Sequence, residues 1–340
     1  MNMQEILAEA LYRKASDVHI TVGVPPVFRI DGRLEPESKW PKLTPAITEK
    51  LAKELLGNRW EEFVARKELD FAHSVSGIGR FRVNVYYQRC SVAMAIRTVG
   101  ETIRSLEELG FPPVVGELAD QRSGLVLVTG TTGSGKTTTL AAMVDRINQR
   151  RSCHVITLED PIEYLHQHKK SIINQREIGT DSPSFASALR AALREDPDVI
   201  LVGEMRDLDT MAAAITAAET GRLVLATLHT GSAVQSIDRI IDVFPPNQQG
   251  QIRIQLADTL AGIVSQQLIP RADGKGRVVA AEILVATPAV RSLIREGKTH
   301  QIVSMMQTGS RFGMQTMEMA LAQLKSRGLI DLVAARGIAQ

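Results

Sequence analysis

LVLVTGTTGSGKTTTL, residues 125–140, decides the fold class. Leu125–Val128 is an uninterrupted apolar run, as expected of a strand buried on both faces. LAAMVDRI, which follows from Leu140, has the spacing of a helix. Between them, GTTGSGKT (130–137) matches G-x-x-x-x-G-K-[ST] in the strand–loop–helix context that this pattern requires. Gly130, Gly133 and Gly135 let the backbone curl so that successive N–H groups face one concave side. Such an array binds the α- and β-phosphates of a nucleotide, helped by the positive end of the helix. The expected nucleotide contacts are Thr132, Gly133, Ser134, Gly135, Lys136, Thr137 and Thr138, with Lys136 on the β- and γ-phosphates and the Thr137 hydroxyl on Mg²⁺. A glycine-rich turn that binds nothing is the competing reading. The conjunction of strand, Lys, Thr and helix argues against it. The pattern does not choose among kinases, GTPases, helicases and motors.

Three more short apolar strands follow: HVITLED, VILVGE and LVLATLH, each separated from the next by helical segments of about ten residues or more. Apolar strands alternating with helices predict a parallel sheet covered on both faces. From about residue 280 the chain reads as mostly helical. The first hundred residues have a different pattern, that of a small mixed α/β domain. Ile6, Leu7, Ala10, Leu11 and Ala15 form a helical face, and Val18, Ile20 and Val22 alternate as in a strand. VFRIDGRL turns at Asp31-Gly32, helices are expected near 46–56 and 59–66, and strands are expected at LDFAHSV, GRFRVNVYYQ and SVAMAIRTV. EELGFPPVVGEL (107–118), with Gly110, Pro112 and Pro113, reads as the connection between domains. The expected organisation is residues 1–112 and residues 113–340.

The 340 residues are 44% apolar, as expected of packed domains, and 40 Lys+Arg against 38 Asp+Glu leave a formal charge of +2. That near-balance gives no support to a broad nucleic-acid footprint. Cys90 and Cys153 stand alone, which argues against a zinc site or a disulfide framework. MNMQEILAEALYRK lacks a basic segment followed by an apolar one, and no apolar stretch approaches a bilayer span. A cytoplasmic protein that docks on a membrane complex only through partners is expected.

Ligands of open parallel sheets sit beyond the carboxyl ends of the strands. HVITLEDPIEY (154–164) ends in Glu159 and Asp160, with Glu163 three residues on, so these carboxylates are expected near the phosphate loop. A solvated acidic loop is the alternative. His229 ends LVLATLH, and both a capping or core role and a hydrogen bond to the γ-phosphate remain open. In DPDVILVGEMRD (196–207) the acid that follows the strand is Glu204 rather than the usual metal-holding aspartate. Asp198 starts that strand, away from the chemistry.

The ordered set GTTGSGKTTT, ITLEDPIEY, DPDVILVGEMRD and TGRLVLATLHT resembles the Walker A (130–137), Asp box (154–164), Walker B (196–207) and His box (221–230) of the secretion-type hexameric P-loop ATPases. ASDVHITVGVPPVFRIDGRL and GRFRVNVYYQ also match that family, so the resemblance covers nearly the whole chain. PAVRSLIREGKTHQI (288–302) and GMQTMEMALAQL (313–324) look like the segments that mark its pilus-retraction branch. With two cysteines, the chain has no four-cysteine insertion of the kind common in extension and type II secretion members. Thr131 stands where the family often has Pro.

The resemblance implies a PAS-like α/β N-terminal domain and a RecA-like ATPase domain with a helical C-terminal part. It implies ATP and Mg²⁺ as cofactors, a homohexamer, and an inner-membrane platform protein of the type IV pilus machinery as partner. Residue by residue, it makes Glu204 the catalytic glutamate and Glu159, Asp160 and Glu163 the metal-side carboxylates, with Glu163 preferred. His229 would report the γ-phosphate to the subunit interface. Arg82, with Arg80 and Arg97, would reach a nucleotide from the N-terminal domain across a subunit boundary; without the resemblance, those arginines read as a solvated strand face. Gly203 is expected to bring the backbone close to the phosphates.

AVRSLIREGK places Ala289, Val290, Leu293 and Ile294 on one helical face. It reads equally as a docked C-terminal helix or as one needed for retraction. Met314, Met317 and Met319 are expected in packing. Rival functions are a RecA-like nucleic-acid translocase, an accessory or extension ATPase of the same family, and a nucleotide-binding scaffold ring that does not hydrolyse.

Overall fold

The structure is a computed structural model that describes residues 1–30, 32–75, 77–99 and 103–331. The chain divides into two compact units, Met1–Glu101 with Glu163–Leu165, and Thr102–Ile162 with His166–Gln340. The division falls before the 112/113 boundary expected from the sequence. Residues 107–118 belong to the second unit, where Phe111, Val114, Val115 and Leu118 are buried. The Pro-rich stretch opens the helix Pro113–Ala119, since proline at the first helical position forfeits no hydrogen bond and presets φ.

In the first unit, β1 (Asp17–Ile20), β2 (Val27–Ile30), β3 (Arg33–Pro36), β4 (Glu68–Val75), β5 (Gly79–Gln88) and β6 (Ser91–Thr98) form an antiparallel sheet in the order β3-β2-β1-β6-β5-β4. Its apolar face, with Val18, Ile20, Phe28, Phe81, Val83 and Val85, packs on Ile6, Leu7, Leu51, Leu55 and Phe63 of three helices. The period-two alternation of the sequence selects that face. β2 and β3 pair as the expected hairpin. Asp31 of its turn lies outside the described residues, as does Ser76 of the β4–β5 turn.

The second unit holds β7 (Gly124–Thr129), β8 (His154–Glu159), β9 (Ile172–Glu177), β10 (Val199–Val202), β11 (Leu223–Leu228), β12 (Leu260–Pro270) and β13 (Arg277–Val285), in the order β13-β12-β7-β11-β10-β8-β9. All neighbours are parallel except β12 and β13. Four of the seven strands are those expected from sequence. Strand β13 shifts the start of the mostly helical part from about residue 280 to Pro288, and among the described residues the named elements from there on are helices. Apolar layers on both faces of the sheet enclose it, as the uninterrupted runs in β7, β10 and β11 require.

The helix Pro288–Arg295 buries Val290 and Ile294 with Leu293 beside them, while Ala289 is exposed. Its arginines do not serve its own terminus. Arg291 donates to the carbonyls of Ala257 and Asp258, the latter at 2.6 Å, and Arg295 pairs with the Asp258 carboxylate at 2.5 Å. Arg291 therefore satisfies last carbonyls of the helix Pro246–Thr259, which lack intrahelical donors, while Arg295 adds an ion pair to the Asp258 side chain at the same end. Among the described residues, no helix is long and apolar enough to cross a membrane.

Candidate nucleotide site

The parallel registers align the carboxyl ends of β7, β11, β10 and β8 along one edge of the sheet: Thr129 lies opposite Leu228, Val202 opposite Ala226, and Val202 opposite Leu158. The phosphate loop, His229, Gly203-Glu204 and Glu159-Asp160 follow those ends. Sequence distance disappears because the crossover helices return each strand to the same edge.

The loop from Gly130 to Gly135 leads into the helix Lys136–Arg150. Gly130, Gly133 and Gly135 have φ of 145°, 78° and 90°, which side-chain-bearing residues adopt only with strain. Lys136 folds back over the loop, and its Nζ donates to the carbonyls of Gly130 at 2.8 Å and Thr131 at 3.0 Å. The ammonium is thereby held over the concavity that the loop encloses.

Glu204 is largely buried and fixed from both sides. The hydroxyl of Thr227 donates to the Gly203 carbonyl, and the Met205 N–H donates to the Thr227 carbonyl at 3.0 Å. The Glu204 Oε2 lies 2.7 Å from the Nε of Arg206 and 3.6 Å from the Nε2 of His229. Walker B and His box therefore meet at one carboxylate, close enough for an ion pair when His229 is protonated. Arg206 went unread in the sequence. The signal was its place two residues after Glu204, a cation within reach of the carboxylate.

Gly203 has a different reason from the one expected. A Cβ there would sit 3.0 Å from the Leu158 carbonyl and 3.4 Å from the Glu159 Cα. The absent side chain lets β10 close on the end of β8. Asp207 caps the helix Leu208–Glu219 by accepting from the Thr210 N–H. Asp198 accepts from the His154 N–H at the far end of the strand.

Within the acidic box the three carboxylates differ. Glu159 is 8% exposed, and its Oε1 accepts from the Thr157 hydroxyl at 2.6 Å and the Gln175 amide at 3.1 Å. Asp160 and Glu163 are exposed, and Glu163 belongs to the first unit. Among the described residues, no group of three or more His, Cys, Asp or Glu side chains is arranged to hold a metal ion. A hydroxyl with one carboxylate still suits Mg²⁺, a hard cation that takes oxygen donors and keeps several waters and phosphate ligands.

Next to the box, the His166 N–H donates to the Gln175 Oε1 at 2.8 Å, while its ring Nδ1 is shut off from solvent without a hydrogen-bond partner. Burial lowers its pKa from 6.5 to about 4; nearby Asp145 opposes that shift and Lys169 adds to it. A folded-state value below the unfolded one means that stability present above pH 6.5 is lost as the pH falls toward 4, because only the unfolded chain takes up the proton. Between pH 7 and pH 5 this residue is expected to remove about 2 kcal/mol. Denaturant midpoints at the two pH values check this: His166→Gln should have a correspondingly flatter pH dependence, and an unchanged slope would refute it.

In the first unit, Arg82 and Arg97 are cross-strand partners on the face opposite the apolar core. Arg82 pairs with Asp70 at 2.7 Å, and Arg97 with Asp17 at 3.0 Å. Burial opposes ionisation of Asp17, but the Ser16 hydroxyl and Arg97 outweigh it and hold its pKa below the usual carboxylate value. Arg80 donates to the Ser74 hydroxyl at 3.1 Å.

An open, largely parallel sheet with a glycine-curled lysine loop and a largely buried glutamate at its carboxyl edge defines a P-loop nucleoside triphosphatase fold. A sequence-family profile described as "Type II/IV secretion system protein" matches residues 1–330, and the chain belongs to that family. It is 46% identical over 340 residues to the type IV pilus retraction ATPase PilT of Pseudomonas aeruginosa, a match covering 99% of this chain and 97% of the relative. To a twitching motility protein of Neisseria gonorrhoeae it is 52% identical over 273 residues, covering 80% of this chain and 73% of the relative. The fold superposes on a crystal structure of the pilus retraction motor PilT with bound ADP at a TM-score of 0.91, with 51% identity, covering 99% of this chain and 97% of that one.

Proposed function

We propose that the chain is a hexameric motor that hydrolyses ATP to drive type IV pilus retraction from the cytoplasmic face of the inner membrane, acting on a platform protein of the pilus machinery. The observation that carries this reading is the full-length likeness to a pilus retraction ATPase, combined with a carboxyl-edge site in which Lys136, Glu204 and His229 are all present.

Phosphoryl transfer to water is limited by positioning and by charge on the phosphoryl oxygens. In this reading the backbone N–H groups of residues 132–138 hold the phosphates, and Lys136 exchanges the Gly130 and Thr131 carbonyls for phosphate oxygens. A Mg²⁺ ion, held by Thr137 and one carboxylate from Glu159 and Asp160, would neutralise phosphate charge. Glu204 orients the attacking water and accepts its proton. His229, already 3.6 Å from Glu204, carries the state of that carboxylate to the end of β11. Arg82, assisted by Arg97, completes the site of a neighbouring subunit. With the formal charge at +2, nucleic acid is not the proposed track.

Deleting the chain from its host tests the reading. Abundant surface pili with no retraction and no twitching are expected. Loss of pili would assign the chain to extension, and normal twitching would reduce it to an accessory.

A further inference from the structure

Two of the three glycines in the phosphate loop share a neighbour that the nucleotide-binding pattern does not name. A Cβ on Gly130 would collide with the Gln266 carbonyl oxygen, and one on Gly135 would lie 3.3 Å from the Gln266 Nε2. Gly133, by contrast, faces open space. Gln266 lies on β12, next to β7, and is 1% exposed. Its Nε2 donates to the Ser134 carbonyl at 2.7 Å, and its Oε1 accepts from the Thr139 hydroxyl at 2.9 Å. Thr139 also donates to the Gly135 carbonyl at 3.2 Å.

The consequence follows from peptide geometry. In a trans peptide the carbonyl and the next N–H point in opposite directions. Holding the Ser134 carbonyl toward β12 turns the Gly135 N–H away from β12, toward the concave side of the loop. The Ser134 carbonyl can only accept, so the Nε2 end of the carboxamide faces it, and the Thr139 hydroxyl anchors the Oε1 end. We propose that Gln266 is a positioning residue of the phosphate site, which keeps the Ser134–Gly135 peptide aimed at the phosphates. This rests on the reading of residues 130–137 as a phosphate loop and adds a strand outside the four boxes to its machinery.

The same ribbon also reaches the segment that follows the His box. Ser265, beside Gln266, donates to the Gly231 carbonyl at 3.0 Å. Its cross-strand partner Glu282 accepts from the Ala233 N–H at 2.7 Å. Strands β12 and β13 thus hold the phosphate loop with one side chain and the segment after His229 with two others.

The test is ADP titration and steady-state ATP hydrolysis on the full-length Gln266→Met and Gln266→Glu variants. Met keeps the length and removes both hydrogen bonds. Glu keeps the acceptor for Thr139 but faces the Ser134 carbonyl with a carboxylate. ADP affinity should fall about tenfold in Gln266→Met, the value of one net hydrogen bond, and further in Gln266→Glu. KM should rise with kcat within about threefold, since the loop grips substrate and transition state alike. A purely packing role predicts that Met, an apolar residue at a buried position, leaves KM and ADP affinity at wild-type values, and that result would overturn the proposal. If Gln266→Met does not fold, Thr139→Val decides: ADP weakened about threefold or more supports the proposal, and wild-type affinity overturns it. Lys136→Ala separates the two levels. Should it bind ADP normally, the phosphate-loop reading fails; should it lose ADP while the Gln266 variants do not, only the role of Gln266 fails.

Discussion

Glu204→Gln is expected to lower kcat for ATP hydrolysis by about 10²–10⁴-fold, the range of a positioned general base, or roughly 3–5 kcal/mol of barrier. ADP affinity should stay close to wild type. Glutamine preserves length and hydrogen bonding but cannot accept the proton of water. The geometry isolates this effect from folding. The backbone at Glu204 is tied through Gly203 and Met205 to Thr227, and none of those bonds uses the carboxylate. The side-chain partners are Arg206, 74% exposed, and His229, 46% exposed, and pairs this open contribute little to stability. Phosphate release by purified protein under saturating Mg²⁺ and ATP, alongside ADP titration, measures both halves. Wild-type turnover in Glu204→Gln would remove Glu204 from the chemistry and leave the Walker B carboxylate as a link to His229 alone.

The parts of this site that were legible in the sequence are those written in apolar strands. LVLVTG, VILVGE and LVLATLH each open with an unbroken run of four apolar residues, and only Thr227 interrupts the third before its end, so their ends could be placed at one sheet edge and the residues after them read as a group. Strands β12 and β13 were invisible for the opposite reason. LAGIVSQQLIP is broken by Ser265, Gln266 and Gln267, and RVVAAEILV by Glu282, so neither matches a buried-strand pattern. Yet Ser265, Gln266 and Glu282 are buried, at 1%, 1% and 8% exposure. Buried polar groups are tolerated because each is hydrogen-bonded, here to loops of the catalytic edge. The residues that defeated the periodicity are therefore the ones that position the site. Glu159 shows the same limit. Its place after a strand was evident, but its contacts with Thr157 and Gln175 depend on β9, whose IINQRE carries little apolar signal. The Pro-Pro of residues 112–113 misled differently: in isolation it marks a break, but the buried residues that follow make it a helix start.

Arg82→Ala is expected to reduce kcat by about 10³-fold or more, the lower range for an arginine supplied to a phosphoryl-transfer site. In the proposed ring, it is also expected to make activity depend on the mixture of subunits. Arg82 is half exposed and paired on the sheet surface with Asp70, so its loss should leave the first unit folded. Arg97, its cross-strand neighbour, keeps Asp17 as partner and should show a smaller effect when replaced. The decisive measurement combines two inactive proteins. An Arg82→Ala subunit retains Glu204, and a Glu204→Gln subunit retains Arg82. If the arginine acts across a subunit boundary, mixed rings contain interfaces where an intact Glu204 faces an intact Arg82, and hydrolysis returns on mixing. If Arg82 acts within its own chain, every subunit carries one lesion in its own site, and no mixture recovers. Recovery would establish that an active site is completed by its neighbour, the physical requirement for hydrolysis to depend on the spacing between subunits and hence for chemistry to drive motion around a ring.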